Sequence, residues 1–150
     1  ELLKVILRKI FVTAKRNEKI QGANLVWAST QEAEAAKLVR NSFLATKVSF
    51  CNEIYDWCQS MDINYNAVAQ LMGMDDRIGP SHPQVPGPDG KRGYGGTCFP
   101  KDINSLLKLI EKTGGKESHI IRGAVYRNEV IDRPEKDWQN DKGRAVTDEG

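Results

Sequence analysis

The sequence predicts a mainly α-helical domain, and three observations lead to that prediction. Apolar side chains recur at three- and four-residue intervals over several segments, the spacing that lines one face of a helix. Six of the 13 glycines and five of the six prolines lie within residues 77–100, which leaves the other segments largely free of helix breakers. Residues 24–29 alone read as a short strand. Helices must therefore supply most of the core.

The first helix is expected to end near Arg16. Its apolar positions are Leu2, Leu3, Ile6, Ile10 and Phe11. Residues 1–19 hold six Lys or Arg against two Glu, which we interpret as a solvated basic face, with nucleic-acid contact as the weaker alternative. The strand predicted at residues 24–29 has no partner strand nearby, so it should fray or pair with another chain.

A long helix follows over residues 30–60, with Thr30 as its expected N-cap. Its apolar positions are Ala36, Val39, Phe43, Phe50, Ile54 and Cys58. A helix this long with a broad apolar face cannot be stable alone. Asp62 and Asn64 then open a shorter helix that Gly73 ends.

Residues 77–100 form a long loop, and loops of that length in compact domains are usually functional or disordered. Two helices are predicted after it, over residues 101–112 and 116–131, separated by two glycines. Pro134 stops the last helix, and a loosely ordered tail is expected beyond it.

Cys98 lies between a glycine-rich turn and a helix that begins with Pro100, a residue suited to a first helical position. The helix dipole and the unpaired N–H groups there favour a thiolate, which attacks carbonyl carbon. The flanking glycines let a substrate approach the backbone. Taken alone, a cysteine in such a loop is more often an incidental or packed thiol.

The whole string around this cysteine is far more specific. Residues 93–102 read Gly-Tyr-Gly-Gly-Thr-Cys-Phe-Pro-Lys-Asp, residues 34–45 read Glu-Ala-Ala-Lys-Leu-Val-Arg-Asn-Ser-Phe-Leu-Ala, and residues 73–79 read Gly-Met-Asp-Asp-Arg-Ile-Gly. In this order the three segments resemble the UDP-glucose/GDP-mannose dehydrogenase family, and the resemblance runs from about residue 24 to residue 134.

The resemblance implies the family's helical central domain, a dimerisation domain similar to the C-terminal domain of 6-phosphogluconate dehydrogenase. Residues 1–29 would be a remnant of an N-terminal NAD-binding Rossmann domain, residues 30–134 the central domain with the cysteine loop, and residues 135–150 the tail. No Gly-x-Gly-x-x-Gly follows an apolar strand here, so the dinucleotide fingerprint is missing. We therefore expect a partial chain that is inactive by itself.

The resemblance also implies catalytic roles. Cys98 would be the nucleophile that forms a thiohemiacetal and then a thioester, and Asp102 would activate or position the hydrolytic water. Lys37 would stabilise an alkoxide and Asn41 would orient a water or a sugar hydroxyl. By spacing alone, Lys37 and Asn41 are a solvated helix pair and Asp102 is an ordinary first-turn acid.

Substrate contacts are implied for Arg77, which would reach across a dimer, and for Gly95 and Gly96. Lys101 would contact the cofactor or the substrate, although a plain surface lysine is the common alternative. The implied reaction is NAD-dependent oxidation of UDP-glucose to UDP-glucuronate. The alternatives are GDP-mannose as substrate, or an inactive helical module that only dimerises through residues 30–60.

Composition sets further limits. At 150 residues the chain fits one domain, and a net charge of +2 implies no nucleic-acid partner. No apolar run approaches the roughly 20 residues that span a bilayer, and no secretory signal is evident. Three cysteines and two histidines suggest neither a disulfide framework nor a metal site, which suits a reducing cytoplasm.

Overall fold

The computed structural model describes residues 1–114 and 116–140. The chain divides into two compact units, Glu1–Ala33 and Glu34–Gly150. Helices are the regular elements throughout the part that is described, as the sequence predicts. None of them is long and apolar enough to cross a bilayer.

In the first unit, helix α1 spans Leu2–Arg16 and has no buried residue. Its apolar side chains are largely exposed, Leu2 at 75%. The predicted strand at residues 24–29 is wrong, because that segment is irregular. A strand needs a hydrogen-bonding neighbour, and this unit has none to offer among its described residues.

Helix α2 spans Thr30–Ser60, the predicted length, but its cap is one residue earlier than predicted. The Ser29 hydroxyl accepts from the Glu32 N–H at 3.2 Å, and the Glu32 carboxylate accepts from the Ser29 N–H at 2.6 Å. This reciprocal pair is a capping box. The hydrogen bonds from the backbone and side chain of Ser29 hold the pKa of Glu32 below its ordinary value.

The second unit buries two apolar clusters against α2. Ala45 and Val48 pack with Tyr94, Ile103 and Ala124. Further along α2, Cys51 and Cys58 pack with Tyr65 and Val85, and both cysteines are buried. Other apolar residues of α2 remain exposed, which leaves an uncovered stripe formed by Val39, Phe43, Phe50 and Trp57.

Helix α3 spans Tyr65–Gly73, and the side chain of Asn64 caps it by accepting from the Asn66 N–H at 3.0 Å. The loop that follows contains neither helix nor strand up to Thr97, as predicted. Helix α4, Phe99–Lys112, begins one residue before Pro100, with Cys98 at the N-cap position.

The last predicted helix differs from the structure at both ends. Helix α5 spans His119–Tyr126 and runs directly into a π-helical segment, Arg127–Asp132. A π turn holds one more residue than an α turn, and apolar periodicity over a few residues does not reveal it.

The predicted loose tail also differs in its first part. A 3-10 turn spans Asp137–Asn140 and buries Trp138. Asp137 is ion-paired to Arg133 and Lys91, which holds this turn against the loop. The rest of the expected tail, residues 141–150, lies outside the described residues.

Candidate active site

Helices α2 and α4 bring four of the predicted site residues together around one carboxylate. Asp102 lies in the first turn of α4 and is 1% exposed. Its Oδ2 accepts from Asn41 Nδ2 at 2.6 Å and lies 3.4 Å from Lys37 Nζ. Its Oδ1 accepts from Lys101 Nζ at 2.9 Å. One amide and two ammonium groups therefore surround Asp102.

Core packing explains why these helices meet in this register. Ala45 and Ile103 are both 0% exposed and belong to the same apolar cluster. Asn41 lies one turn before Ala45 on α2, and Asp102 directly precedes Ile103 on α4. Side chains four residues apart share a helix face, so Asn41 lies on the same face of α2 as the buried Ala45, and from there its amide reaches Asp102 of α4.

In the cluster of Lys37, Asn41, Lys101 and Asp102, the opposite charges stabilise the ionised forms of Asp102 and Lys101. Burial alone would raise the pKa of Asp102, but hydrogen bonds from Lys101 and Asn41 outweigh it and hold the pKa below its usual value. The bond to Asp102 raises the pKa of Lys101, against a smaller effect of burial. Asp102 is therefore an anion and Lys101 a cation at neutral pH.

Cys98 lies one helical turn before Asp102, and its carbonyl accepts from the Asp102 N–H at 2.9 Å. Its side chain is exposed, and the sulfur lies 3.8 Å from the Thr97 hydroxyl. The thiol is within electrostatic range of the Lys101 ammonium. An accessible sulfur at the start of a 14-residue helix is open to attack a bound carbonyl.

The two predicted glycines of the substrate site have different surroundings. Gly96 has φ +70 and open space where a side chain would begin. At Gly95, a Cβ would lie 2.5 Å from the guanidinium carbon of Arg133. Packing under Arg133 is thus a sufficient reason for glycine at position 95, independent of any substrate.

Arg77 does not join the Asp102 cluster. Its side chain is 88% exposed, and its guanidinium donates to both carboxylate oxygens of Asp75, with Nη2 at 2.6 Å from Oδ2. It lies instead beside an apolar groove that includes Phe43, Phe50 and Ile78.

Lys101, the predicted cofactor contact, has one of its three donors bonded to Asp102 and is 39% exposed. It fits a single polar contact to a bound cofactor. A glycine-rich turn between a strand and a helix, which cradles a dinucleotide pyrophosphate, does not occur among the described residues. No group of three His, Cys, Asp or Glu there is arranged to hold a metal ion.

A network of buried and partly buried polar residues holds the loop, and the sequence patterns did not predict it. Arg92 and Arg127 each pair with both Asp56 and Asp132, Arg92 at 2.8 Å from an oxygen of each. Asn52 and Asn128 are buried beneath the loop. A signal was present: Asn52 lies four residues after Val48, and Asn128 four after Ala124, so each polar residue occupies a core-facing position.

Comparison with known proteins decides the family. The model of the UDP-glucose/GDP-mannose dehydrogenase family, central domain, matches residues 31–130. This chain belongs to that family. The match includes α2, the loop and α4, hence every residue of the Asp102 cluster.

Individual members of the UDP-glucose/GDP-mannose dehydrogenase family are similar over most of this chain. UDP-glucose 6-dehydrogenase of Rickettsia prowazekii (strain Madrid E) is 41% identical over 106 residues, 71% of this chain and 22% of the relative. The enzyme of that name from Pseudomonas aeruginosa is 37% identical over 122 residues, 81% of this chain and 25% of its own length. UDP-glucose 6-dehydrogenase TuaD of Bacillus subtilis is 32% identical over 130 residues, 83% and 27% respectively. The chain thus spans about a quarter of these relatives.

Proposed function

We propose that this chain is the cysteine-bearing central part of an NAD-dependent nucleotide-sugar 6-dehydrogenase that converts UDP-glucose to UDP-glucuronate. The observation that carries the proposal is the exposed Cys98 one turn before Asp102, a buried carboxylate bonded to Asn41, Lys37 and Lys101. The three relatives described above are named UDP-glucose 6-dehydrogenases, which favours that sugar.

The chemistry requires a nucleophile. An alcohol loses one hydride and its hydroxyl proton to become an aldehyde, but the aldehyde must gain a sulfur or oxygen substituent before a second hydride can leave. The Cys98 thiolate adds to the aldehyde carbon, a C–S bond forms, and the carbonyl oxygen takes up a proton to give a thiohemiacetal. Two NAD⁺ molecules, bound one after the other, would accept the two hydrides. Water then cleaves the resulting thioester, which releases the acid and restores the thiol.

Each residue around Cys98 has a separate proposed role in binding or catalysis. The Lys37 ammonium stabilises negative charge on the sugar oxygen, and the Asn41 amide orients a water or a hydroxyl. Asp102 has a lowered pKa, so it is a weak base. We therefore assign it the role of holding the water, Asn41 and the two lysines in place, in preference to removing a proton itself.

A second copy of the chain is part of the proposal. The stripe of α2 exposes Phe43 at 68% and Phe50 at 53%, and Arg77 lies at the edge of the same groove. A homodimer through α2 would cover this apolar area and carry Arg77 towards the partner's nucleotide sugar. Gly95, Gly96 and Lys101 complete the proposed substrate and cofactor contacts. A reducing cytoplasm would keep Cys98 as a free thiol.

Two alternatives remain proposals. GDP-mannose would use the same cysteine chemistry with another nucleotide. An inactive module that only dimerises is favoured by the uncovered stripe of α2, which needs no catalytic role for Cys98.

A chimaera tests the function. The segment of the Pseudomonas aeruginosa enzyme that corresponds to residues 31–130 is replaced by this chain's residues, and formation of NADH is followed with UDP-glucose and with GDP-mannose. We expect turnover of UDP-glucose, its loss in Cys98→Ser, and none from the 150-residue chain alone. A chimaera that folds and dimerises but has no activity would support the inactive module. Normal acid formation by Cys98→Ser would show that Cys98 is not the nucleophile.

A further inference from the structure

Asn128 pairs with the backbone of the turn that leads to Cys98. Its side chain is 0% exposed, so both ends of its amide need partners. Nδ2 donates to the Tyr94 carbonyl at 3.0 Å, and Oδ1 accepts from the Tyr94 N–H at 2.7 Å. One side chain therefore satisfies both backbone groups of Tyr94, as a neighbouring strand would.

The residue before Tyr94 is held by α2. The Gly93 N–H donates to Asn52 Oδ1 at 3.3 Å, and Asn52 is itself bonded to the Val48 carbonyl of α2 at 2.9 Å. Gly93 has φ +67, and a Cβ there would collide with Asn128 Oδ1. Glycine at position 93 is required by the close approach of Asn128.

The π-helical segment explains how one element reaches both Tyr94 and Gly95. The Arg133 N–H donates to the Asn128 carbonyl at 2.8 Å, a bond across five residues. This wide turn sets Asn128 under Tyr94 and the Arg133 guanidinium under Gly95. Arg133 is fixed in turn by Asp137, at 2.6 Å from Nε, and by Asp89, at 2.7 Å from Nη1. Such widened turns occur often at functional sites.

We propose that Asn128 is a positioning residue for Cys98. Three glycines make residues 93–96 adaptable, and only three residues lie between Tyr94 and the cysteine. With Tyr94 held at both backbone groups, the chain enters α4 in one conformation that keeps the Cys98 sulfur within electrostatic range of the Lys101 ammonium. The consequence for turnover rests on the proposed function, but the position of the sulfur does not.

The experiment compares how fast an anionic and a neutral reagent alkylate Cys98, a ratio that reports the electrostatic potential at the sulfur. In the 150-residue chain, the alkylation rate of Cys98 is determined by peptide mass spectrometry with anionic iodoacetate and with neutral iodoacetamide. The Lys101 ammonium lies within electrostatic range of the sulfur, and its positive charge accelerates the reaction with the anionic reagent. One unit charge about 5 Å away in water changes a rate ratio about three- to fourfold.

The variants come as matched pairs. Asn128→Leu removes the amide that bonds Tyr94, and Gly93→Ala places a Cβ against that amide. Ser49→Ala removes another buried hydrogen bond, the one from Ser49 Oγ to the Ala124 carbonyl at 3.0 Å. Gly90→Ala replaces another glycine of positive φ in the same loop, where nothing lies within 4 Å. Circular dichroism establishes which variants are folded. If Asn128→Leu or Gly93→Ala is unfolded, Asn128→Ser is measured in its place.

We expect the iodoacetate-to-iodoacetamide rate ratio to fall about threefold in Asn128→Leu and Gly93→Ala, and to stay at the wild-type value in Ser49→Ala and Gly90→Ala. An unchanged ratio in the folded test variants overturns the proposal, and so does an equal fall in the controls, which would reveal general loosening. Since no cofactor, substrate or turnover enters this measurement, an inactive chimaera leaves its result unaffected.

Discussion

Asn41 donates to Asp102 at 2.6 Å across 61 residues of sequence, and this bond joins the middle of α2 to the first turn of α4. Asp102 is buried, so it depends on such donors to remain ionised. The bond links the packing of the two helices to the electrostatics of the site, because the same carboxylate also binds Lys37 and Lys101.

Removal of the Asn41 amide should therefore destabilise the fold. In Asn41→Leu, a buried carboxylate loses one of its donors, and we expect the free energy of unfolding to fall by about 1–3 kcal/mol. Urea denaturation followed by circular dichroism measures the change. The control is Asn66→Ala, an exposed residue whose side chain has no such partner role, where a change within about 0.5 kcal/mol is expected. Equal losses in both variants would contradict the assigned importance of the bond.

The stabilisation from Asp102 should depend on pH. Its folded-state pKa is lowered, so its contribution is present above the unfolded value, about 3.9, and is lost as pH falls through the folded pKa. The difference in unfolding free energy between wild type and Asp102→Asn should therefore shrink as pH decreases from about 5 to about 3. Asp76→Asn controls for loss of an exposed negative charge. A difference that grows on acidification would show that the sign is wrong.

We expect Gly95→Ala to destabilise the fold, although the change from glycine to alanine adds only one methyl group. Its Cβ would lie 2.5 Å from the Arg133 guanidinium carbon, and Arg133 is held by Asp89 and Asp137, so it cannot move away freely. We expect a loss of about 1–3 kcal/mol in thermal or urea unfolding.

The control for that substitution is Gly123→Ala in α5, where nothing lies within 4 Å of the new carbon. Alanine should stabilise this helix position by about 0.5–1 kcal/mol. If the two alanine variants have the same stability, Arg133 does not crowd position 95 in solution.

A charge placed in the stripe of α2 should prevent association. Phe43 and Phe50 are exposed in the single chain, and burial of an aspartate in an apolar interface is costly. We expect wild type to sediment at twice the monomer mass and Phe43→Asp or Phe50→Asp at the monomer mass. Ile120→Asp, on the exposed face of α5, is the control and should leave the mass unchanged. A monomeric wild type would exclude the proposed dimer.

The spacing of apolar residues predicted most of the helices, because one face of a helix is formed by residues three and four apart in the sequence. Apolar spacing located α1 and α2, Asp62 and Asn64 marked the start of α3, and the density of glycine and proline located the loop. The strand at residues 24–29 was predicted wrongly, since a strand depends on a partner that no local window contains. The capping box at Ser29 was missed by one residue.

By itself, the sequence determined the family, the helical class and the location of Cys98 between a glycine turn and a helix start, because each is written in contiguous residues. Only the tertiary structure decided that Asn41 and Lys37 meet Asp102, that Arg77 stays apart, and that Asn128 and Arg133 hold the turn. Those relationships join atoms far apart in the chain. They follow from how buried side chains such as Ala45 and Ile103 pack, which sets the relative register of whole helices.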